Sequence, residues 1–312
     1  MASHAYNSPE ADRIVDDAIQ QIGAEINALD IPMLGGVVLG GGYGRGEGGV
    51  FEDNGPQNPR LSNDLDFYVV TVENASSADI DAIAKALDPI SVKWTEKLGI
   101  DVDFCTPKTP WRIKHDQERL MIQELVHGYF NVAGKKGEEL FKDIARLEPS
   151  ALPWTEAIRL LVNRGAGLLL CTEPGRDDVF IVRNINKCIL GIGDARLIAS
   201  NNYKWKAVDR AGLLNNGLYT KALEWKFRPQ KEAICSLDEA REQWLTAVSE
   251  IKTTGKRTLY NTLRWLARRH TLGDLLTIGL PPVVRILRSM YKTIQQKQPF
   301  SPSLKKDWQI FN

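Results

Sequence analysis

Apolar positions along this chain recur at two spacings, and the spacing changes partway through. Ile14, Val15, Ala18, Ile19, Ile22, Ile26 and Leu29 return every three to four residues, which predicts an amphipathic helix packed on a sheet. Ser8-Pro9-Glu10 opens it, with Ser as cap and Pro in the first turn. Val37-Val38-Leu39 is short, β-branched and apolar, and predicts a buried strand. A second apolar run ends Phe67-Tyr68-Val69-Val70, and over 99–105 Ile100, Val102 and Phe104 alternate with polar neighbours as in a half-buried strand. Ser77–Leu87 predicts a Ser-capped helix. Pro107 and Pro110 stop the strand before them, and Arg112–Tyr129 predicts a helix with Ile113, Leu120, Leu125 and Val126 on its apolar face.

Past Pro149–Pro153 only the helical spacing remains. Thr155–Leu170, Val179–Ala199, Leu237–Lys252, Lys256–His270 and Pro282–Gln298 are the expected helices. The pattern therefore predicts an α+β domain over 1–150, with a mixed sheet and flanking helices, followed by an all-α domain over 151–312. At 312 residues the chain is long enough for two cores.

Charge changes the picture through its distribution, because the net value of +1 says little. From Ile251 onward stand 12 Lys/Arg and 2 Asp, a balance of +10, and the remainder carries −9. Such a basic end fits a solvated surface or a partner-facing helix. It also fits nucleic acid, RNA included, or, over Val283–Lys292, an amphipathic helix on a membrane surface. Trp265, Trp308 and Tyr291 are expected to be packing aromatics. Cys105, Cys171, Cys188 and Cys235 are far apart and form no CxxC pattern, which fits a reducing cytoplasm and argues against a zinc site. His4, His115, His127 and His270 are equally scattered and suggest neither a hydrolase triad nor a histidine metal cluster. The polar start, Met1 to Asn7, predicts no secretion signal, and no run of about 18 apolar residues predicts a membrane span.

Candidate chemistry concentrates near the first strand. Nine of the fifteen residues from Gly35 to Gly49 are glycine. Gly40, Gly41 and Gly42 allow a sharp turn and close approach of a ligand to the backbone. Tyr43-Gly44-Arg45-Gly46-Glu47 can open a short helix, whose free N–H groups attract phosphate. In a strand, Asp64 and Asp66 share one face, with Leu65 and Phe67 on the other. Adjacent carboxylates repel unless a cation lies between them, and hard oxygen ligands with phosphate suit Mg²⁺. Asp101 and Asp103 repeat the arrangement. If the two acidic strands are neighbours, three or four carboxylates converge, enough for two metals and a base for an attacking hydroxyl. Arg45 beside the turn is the better-placed phosphate ligand. Arg164 and Lys187, which interrupt apolar helices, either reach a triphosphate or lie on solvated helix faces. Gly44, Gly46 and Gly49 also fit the dinucleotide pattern G-x-G-x-x-G, but the glycines continue into a loop and the next strand carries two carboxylates.

The order Gly41-Gly42, then Asp64-Leu65-Asp66, then an acidic later strand resembles the nucleotidyltransferases of the DNA polymerase β superfamily. Gly41–Glu47 followed by Asn63–Asp66 is most similar to the catalytic domain of signal-protein uridylyltransferases, and similar also to antibiotic adenylyltransferases. The resemblance covers roughly 30–106. It implies that Gly41 and Gly42 cradle a nucleoside triphosphate; Tyr43 and Arg45 in the turn, and Lys187 from its place in an apolar helix, are the further nucleotide contacts expected from the residues themselves. Asp64 and Asp66 would hold Mg²⁺, and Asp101 or Asp103 would be the third carboxylate, base and metal ligand together, with Asp101 the favoured one although both fit the pattern. The implied activity is transfer of a nucleoside monophosphate to a hydroxyl of a small molecule, protein or RNA end. A non-catalytic nucleotide- or RNA-binding protein on the same fold is the alternative. One departure is the stretch Val50–Asn63, longer than the family's spacing and expected as an extended surface loop.

Overall fold

The structure is a computed structural model that describes residues 3–53, 55–253 and 282–311. Chain contacts divide it into two compact units: Met1–Leu147 with Lys226–Pro229, and Glu148–Trp225 with Gln230–Asn312.

In the first unit, α1 (Pro9–Ala28) precedes β1 (Leu34–Leu39) and the one-turn helix α2 (Gly41–Gly44). A small hairpin, β2 (Val50–Phe51) with β3 (Arg60–Leu61), occupies the stretch expected as a loop. Then come β4 (Leu65–Thr71), α3 (Ser77–Leu98), β5 (Val102–Phe104), α4 (Pro110–His115), α5 (Leu120–His127), β6 (Phe130–Gly134) and α6 (Gly137–Leu140). The main sheet runs β5-β4-β1-β6 and is mixed: β1 is antiparallel to β4 and β6, while β4 and β5 are parallel.

The two faces of this sheet are covered differently. Val37, Leu39, Leu65, Phe67, Val69 and Val102 point to one side, where they pack with the apolar stripes of α1 and α3. Val38 and Val70, with Tyr68 beside them, point to the other, against Ile113, Ile122, Leu125 and Val126. Asp66 lies on this second face by strand alternation.

Three expectations need correction. The helix expected over Ser77–Leu87 runs on to Leu98, through Pro89. The stripe Ile83, Leu87, Ile90 and Trp94 keeps its spacing across the proline, so burial outweighs one lost backbone bond. A capping box between Ser76 and Asp79 starts it, and left-handed Gly99 ends it. The single helix expected over Arg112–Tyr129 is two short ones, broken at 116–119. There the buried Asp116 carboxylate meets Arg112 at 3.4 Å and His115 at 3.3 Å, and Arg119 returns to within 3.8 Å. Finally, Phe130–Gly134 pairs with β1 as a fourth strand that the pattern did not announce.

Among the described residues the second unit is helical. Its elements are α7 (Trp154–Leu170), α8 (Asp178–Ala199), α9 (Ala207–Leu214), α10 (Gly217–Phe227, whose last two residues count with the first unit), α11 (Leu237–Thr253), α12 (Pro282–Gln295) and α13 (Pro302–Phe311). Trp244 of α11 is fully buried and donates its indole N–H to Leu161 O at 2.8 Å. Arg210 is buried too, with Asp194 at 2.9 Å and the hydroxyls of Tyr203 and Tyr219 as acceptors. Trp308 donates to Asn163, as a packing aromatic would. On α12, Val283, Ile286, Leu287, Met290 and Ile294 are buried within the unit while Arg285 and Arg288 are exposed. The apolar face of Val283–Lys292 is thus already covered, which removes the membrane-surface reading of that helix. The expected helix Lys256–His270, with Trp265 and His270, lies outside the described residues. No helix among the described residues is long and apolar enough to cross a membrane.

Candidate functional site

The site is assembled where β1 ends and β4 begins. The Gly40 N–H donates to Asp66 O at 2.9 Å, which ties the glycine turn to the acidic strand. Gly41 follows with φ +62°, a left-handed conformation natural to glycine. It lies against the Asp66 side chain so closely that a Cβ there would fall 2.1 Å from Oδ2. Gly42 is roomier, since a Cβ on it would meet nothing nearer than Glu47 O at 3.7 Å. Its carbonyl accepts from the N–H groups of Arg45 and Glu47, which closes the turn.

Across the sheet from Gly41 lies β5. Its register places Leu65 beside Val102, Asp66 beside Asp103 and Phe67 beside Phe104. In parallel neighbours, paired residues share a face, so the Asp66 and Asp103 carboxylates stand side by side. Asp66 is half-buried and Asp103 exposed, so the pair opens to solvent. Asp64 is half-buried and directly precedes β4, and its charge acts on the Tyr43 hydroxyl. Asp101 is exposed, precedes β5, and is tied in by its backbone, whose carbonyl accepts from Leu65 N–H at 2.9 Å. Of the two candidates for the third carboxylate, the register therefore sets Asp103, not Asp101, beside Asp66. Sequence alternation alone treats them alike.

The backbone of β5 is pinned from behind by α3. The Ser91 hydroxyl donates to Val102 O at 2.6 Å, and Val102 N–H donates to Thr95 Oγ1 at 3.0 Å.

Tyr43 has a different place from the nucleotide contact expected of it. Its ring is fully buried, its hydroxyl donates to Gly49 O at 2.7 Å, and it accepts from the N–H groups of Ser62 and Asn63. Burial first, and the nearby Asp64 charge, push this phenol up to about 12. The side chain thus holds the two ends of the 50–63 excursion together, so the longer spacing between glycines and aspartates leaves the turn beside β4. What Tyr43 can still offer a ligand is its backbone.

Arg45 is largely buried beside the turn, with Glu124 at 3.2 Å and Glu47 at 3.7 Å; Glu47 in turn meets Lys226 at 2.9 Å. Arg45 also lines an open cavity of about 420 Å³ with Gly44, His127, Tyr129, Asn131 and Arg146. None of the four aspartates lines it. Lys187 belongs to the second unit, half-buried on α8, whereas Gly41, Asp66 and Asp103 all lie in the first.

Electrostatic effects trace the same grouping. The Cys105 thiol is pushed up to about 11, first by burial, then by Asp66 and Asp103, with Lys108 opposing. Tyr68 is raised by burial, by Cys105 and by the Asp66 and Glu124 carboxylates. Lys108 is lowered, chiefly by burial. Among the described residues no three His, Cys, Asp or Glu side chains form a ready-made metal cage. The donor set is a pair of carboxylates, and Mg²⁺ characteristically takes one or two carboxylates and completes its shell with waters and substrate phosphates. The residues therefore fit that ion with a phosphate ligand present.

Fold and site define an α+β protein: a small mixed sheet with an acidic pair beside a glycine turn, and a helical second unit. Set against family models, curated proteins and solved structures, the chain matches none.

Proposed function

We propose that the chain is a Mg²⁺-dependent nucleotidyltransferase that moves a nucleoside monophosphate from a nucleoside triphosphate to a hydroxyl. The observation that carries this reading is the register of β4 and β5, which sets Asp103 beside Asp66 while Gly41 packs on the Asp66 carboxylate. The reading includes the nucleotidyltransferase-like fold itself, which the mixed sheet and the order of glycine turn and acidic strands support.

Each residue has a role in this scheme. Asp66 and Asp103, with Asp64 at the strand's entrance, would hold and orient Mg²⁺. Bound there, the ion supplies Lewis-acid stabilisation of charge on the phosphoryl oxygens. The backbone at Gly41, Gly42 and Tyr43 holds the triphosphate, with Arg45 behind the turn as a further candidate for its charge. Asp103 takes the proton of the acceptor hydroxyl. A bond forms from that oxygen to the α-phosphorus, the bond from the α-phosphorus to the bridging oxygen breaks, and pyrophosphate leaves.

The test is pyrophosphate release from each common nucleoside triphosphate with Mg²⁺ and a panel of hydroxyl acceptors, for wild type, Asp66→Asn and Asp103→Asn. Both variants should lose at least ~100-fold in rate while keeping the wild-type melting temperature to within a few degrees, on the usual worth of a positioned acid–base group. Unchanged turnover in either refutes the role assigned to it.

A further inference from the structure

The in-line geometry of phosphoryl transfer puts the attacking and leaving oxygens on opposite sides of the phosphorus. In this sheet the glycine turn lies on the β1 side of Asp66 and Asp103 lies on the β5 side. With the triphosphate held at the glycines, the acceptor must enter over β5. What the chain has built there therefore describes the acceptor.

Beyond Asp103 comes Cys105, whose N–H donates to Phe67 O, and then Lys108, which bridges to Val70 and so continues along β4 on the same face. Lys108 is half-buried beside the Cys105 thiol, and the charges that act on it are Arg119, Asp116 and Arg112. From 108 to 119 the segment holds four Lys/Arg against Asp116 and Glu118. The Asp116 carboxylate is already surrounded by Arg112, His115 and Arg119. On α4, next to Arg112, Trp111 is 59% exposed, and its ring stacks on His115 with centroids 5.5 Å apart and planes at 27°. A large ring left in water beside clustered cations is unusual for a surface with only a packing role. It is the combination that single-stranded nucleic acids and nucleotides use, a stacking platform with phosphate-seeking charge.

We infer that the acceptor is a nucleotide unit, stacked on Trp111 and held by phosphate contacts to Lys108, Arg112 and Arg119, with its ribose hydroxyl directed at Asp103. This inference rests on the proposed transferase reading for the direction of attack, but the surface itself can be tested without turnover. The unit is either the end of a strand or a free nucleotide, and the two sources share ring and phosphate.

The experiment is fluorescence anisotropy with the full chain, no triphosphate added, using an end-labelled short oligoadenylate and, separately, labelled AMP, over a range of salt. Trp111→Ala should weaken binding about tenfold or more, as loss of one stacked base does. Lys108→Gln should reduce the slope of log affinity against log salt by about 0.7 for the oligonucleotide, one phosphate contact on a single strand. Oligonucleotide binding with these losses assigns the strand end, and AMP binding weakened by both Trp111→Ala and Lys108→Gln assigns the free nucleotide; both support the inference. Wild-type affinity in Trp111→Ala, with melting unchanged, overturns it, as does binding of neither probe. A wild-type chain that binds the probe through Trp111 yet releases no pyrophosphate from any triphosphate refutes the transferase reading and leaves the surface standing. Pyrophosphate release with other acceptors but no probe binding does the reverse.

Discussion

Replacing Gly41 by alanine adds one methyl group and perturbs the site at its tightest point. Two costs follow from the geometry. At φ +62° an L-residue is strained by about 1–2 kcal/mol. The new Cβ would also lie 2.1 Å from Asp66 Oδ2, so the carboxylate must move by more than an ångström to restore ordinary contact. A misplacement of about 1 Å in a reacting constellation costs roughly 100-fold in rate. Gly41→Ala should therefore lower kcat/KM for pyrophosphate release by about 100-fold while lowering unfolding free energy in urea by only about 1–2 kcal/mol. The fitting control for stability is Gly42→Ala, where a Cβ meets nothing nearer than 3.7 Å and the backbone is not left-handed; it should unfold within about 0.5 kcal/mol of wild type. If Gly41→Ala matches wild type in both rate and stability, the packing of the turn on Asp66 has no functional weight.

Two further predictions concern groups around the site. Tyr43→Phe keeps the ring but leaves Gly49 O and two loop N–H groups without the hydroxyl, and should cost about 1–3 kcal/mol in urea unfolding. Because burial holds the folded phenol protonated up to about 12 against an ordinary 10.0, the folded state binds the extra proton between those values. Stability should accordingly fall as pH rises from about 10 toward about 12, and fall less steeply in Tyr43→Phe; parallel curves would contradict the shift. The Cys105 thiol should resist iodoacetamide near neutral pH, and peptide mapping should show faster labelling at Cys105 in Asp66→Asn, since one of the carboxylates that raises it is gone. An unchanged labelling rate would mean that Asp66 does not act on the thiol.

Much of this architecture follows from local pattern. Of the apolar stripe expected on α1, Val15, Ala18, Ile19, Ile22 and Ile26 are buried as periodicity requires, Ile14 is half-buried, and Leu29, just past the helix end, is exposed. Leu65 and Phe67 are buried and Asp64 and Asp66 are not, as alternation requires. What depends on distant partners was less legible. Asp101 and Asp103 are equivalent in the text Ile-Asp-Val-Asp-Phe, and only the pairing of β5 with β4 distinguishes them. Strand β6 is short and ends in glycine, and it is a strand because β1 has a free edge to pair with. Pro89 is a helix-breaking signal overruled by packing. The hydroxyl of Tyr43 was missed as a loop anchor because its partners, Gly49, Ser62 and Asn63, are six to twenty residues away. The exposed Trp111 beside Pro110 and Arg112 was visible in the sequence, but nothing there told it from a buried aromatic on an amphipathic helix.

The clasp that Ser91 and Thr95 make on Val102 ties the helix behind the sheet to the strand that carries Asp103. Besides its backbone bonds to β4, this strand of three residues is held by two hydroxyls of the helix packed on the sheet face away from Asp66. Removing either hydroxyl should shift the gap between Asp66 and Asp103 without touching a ligand. On the proposed reading, preference between a small cation and a larger one is adjustable from the protein's reverse side.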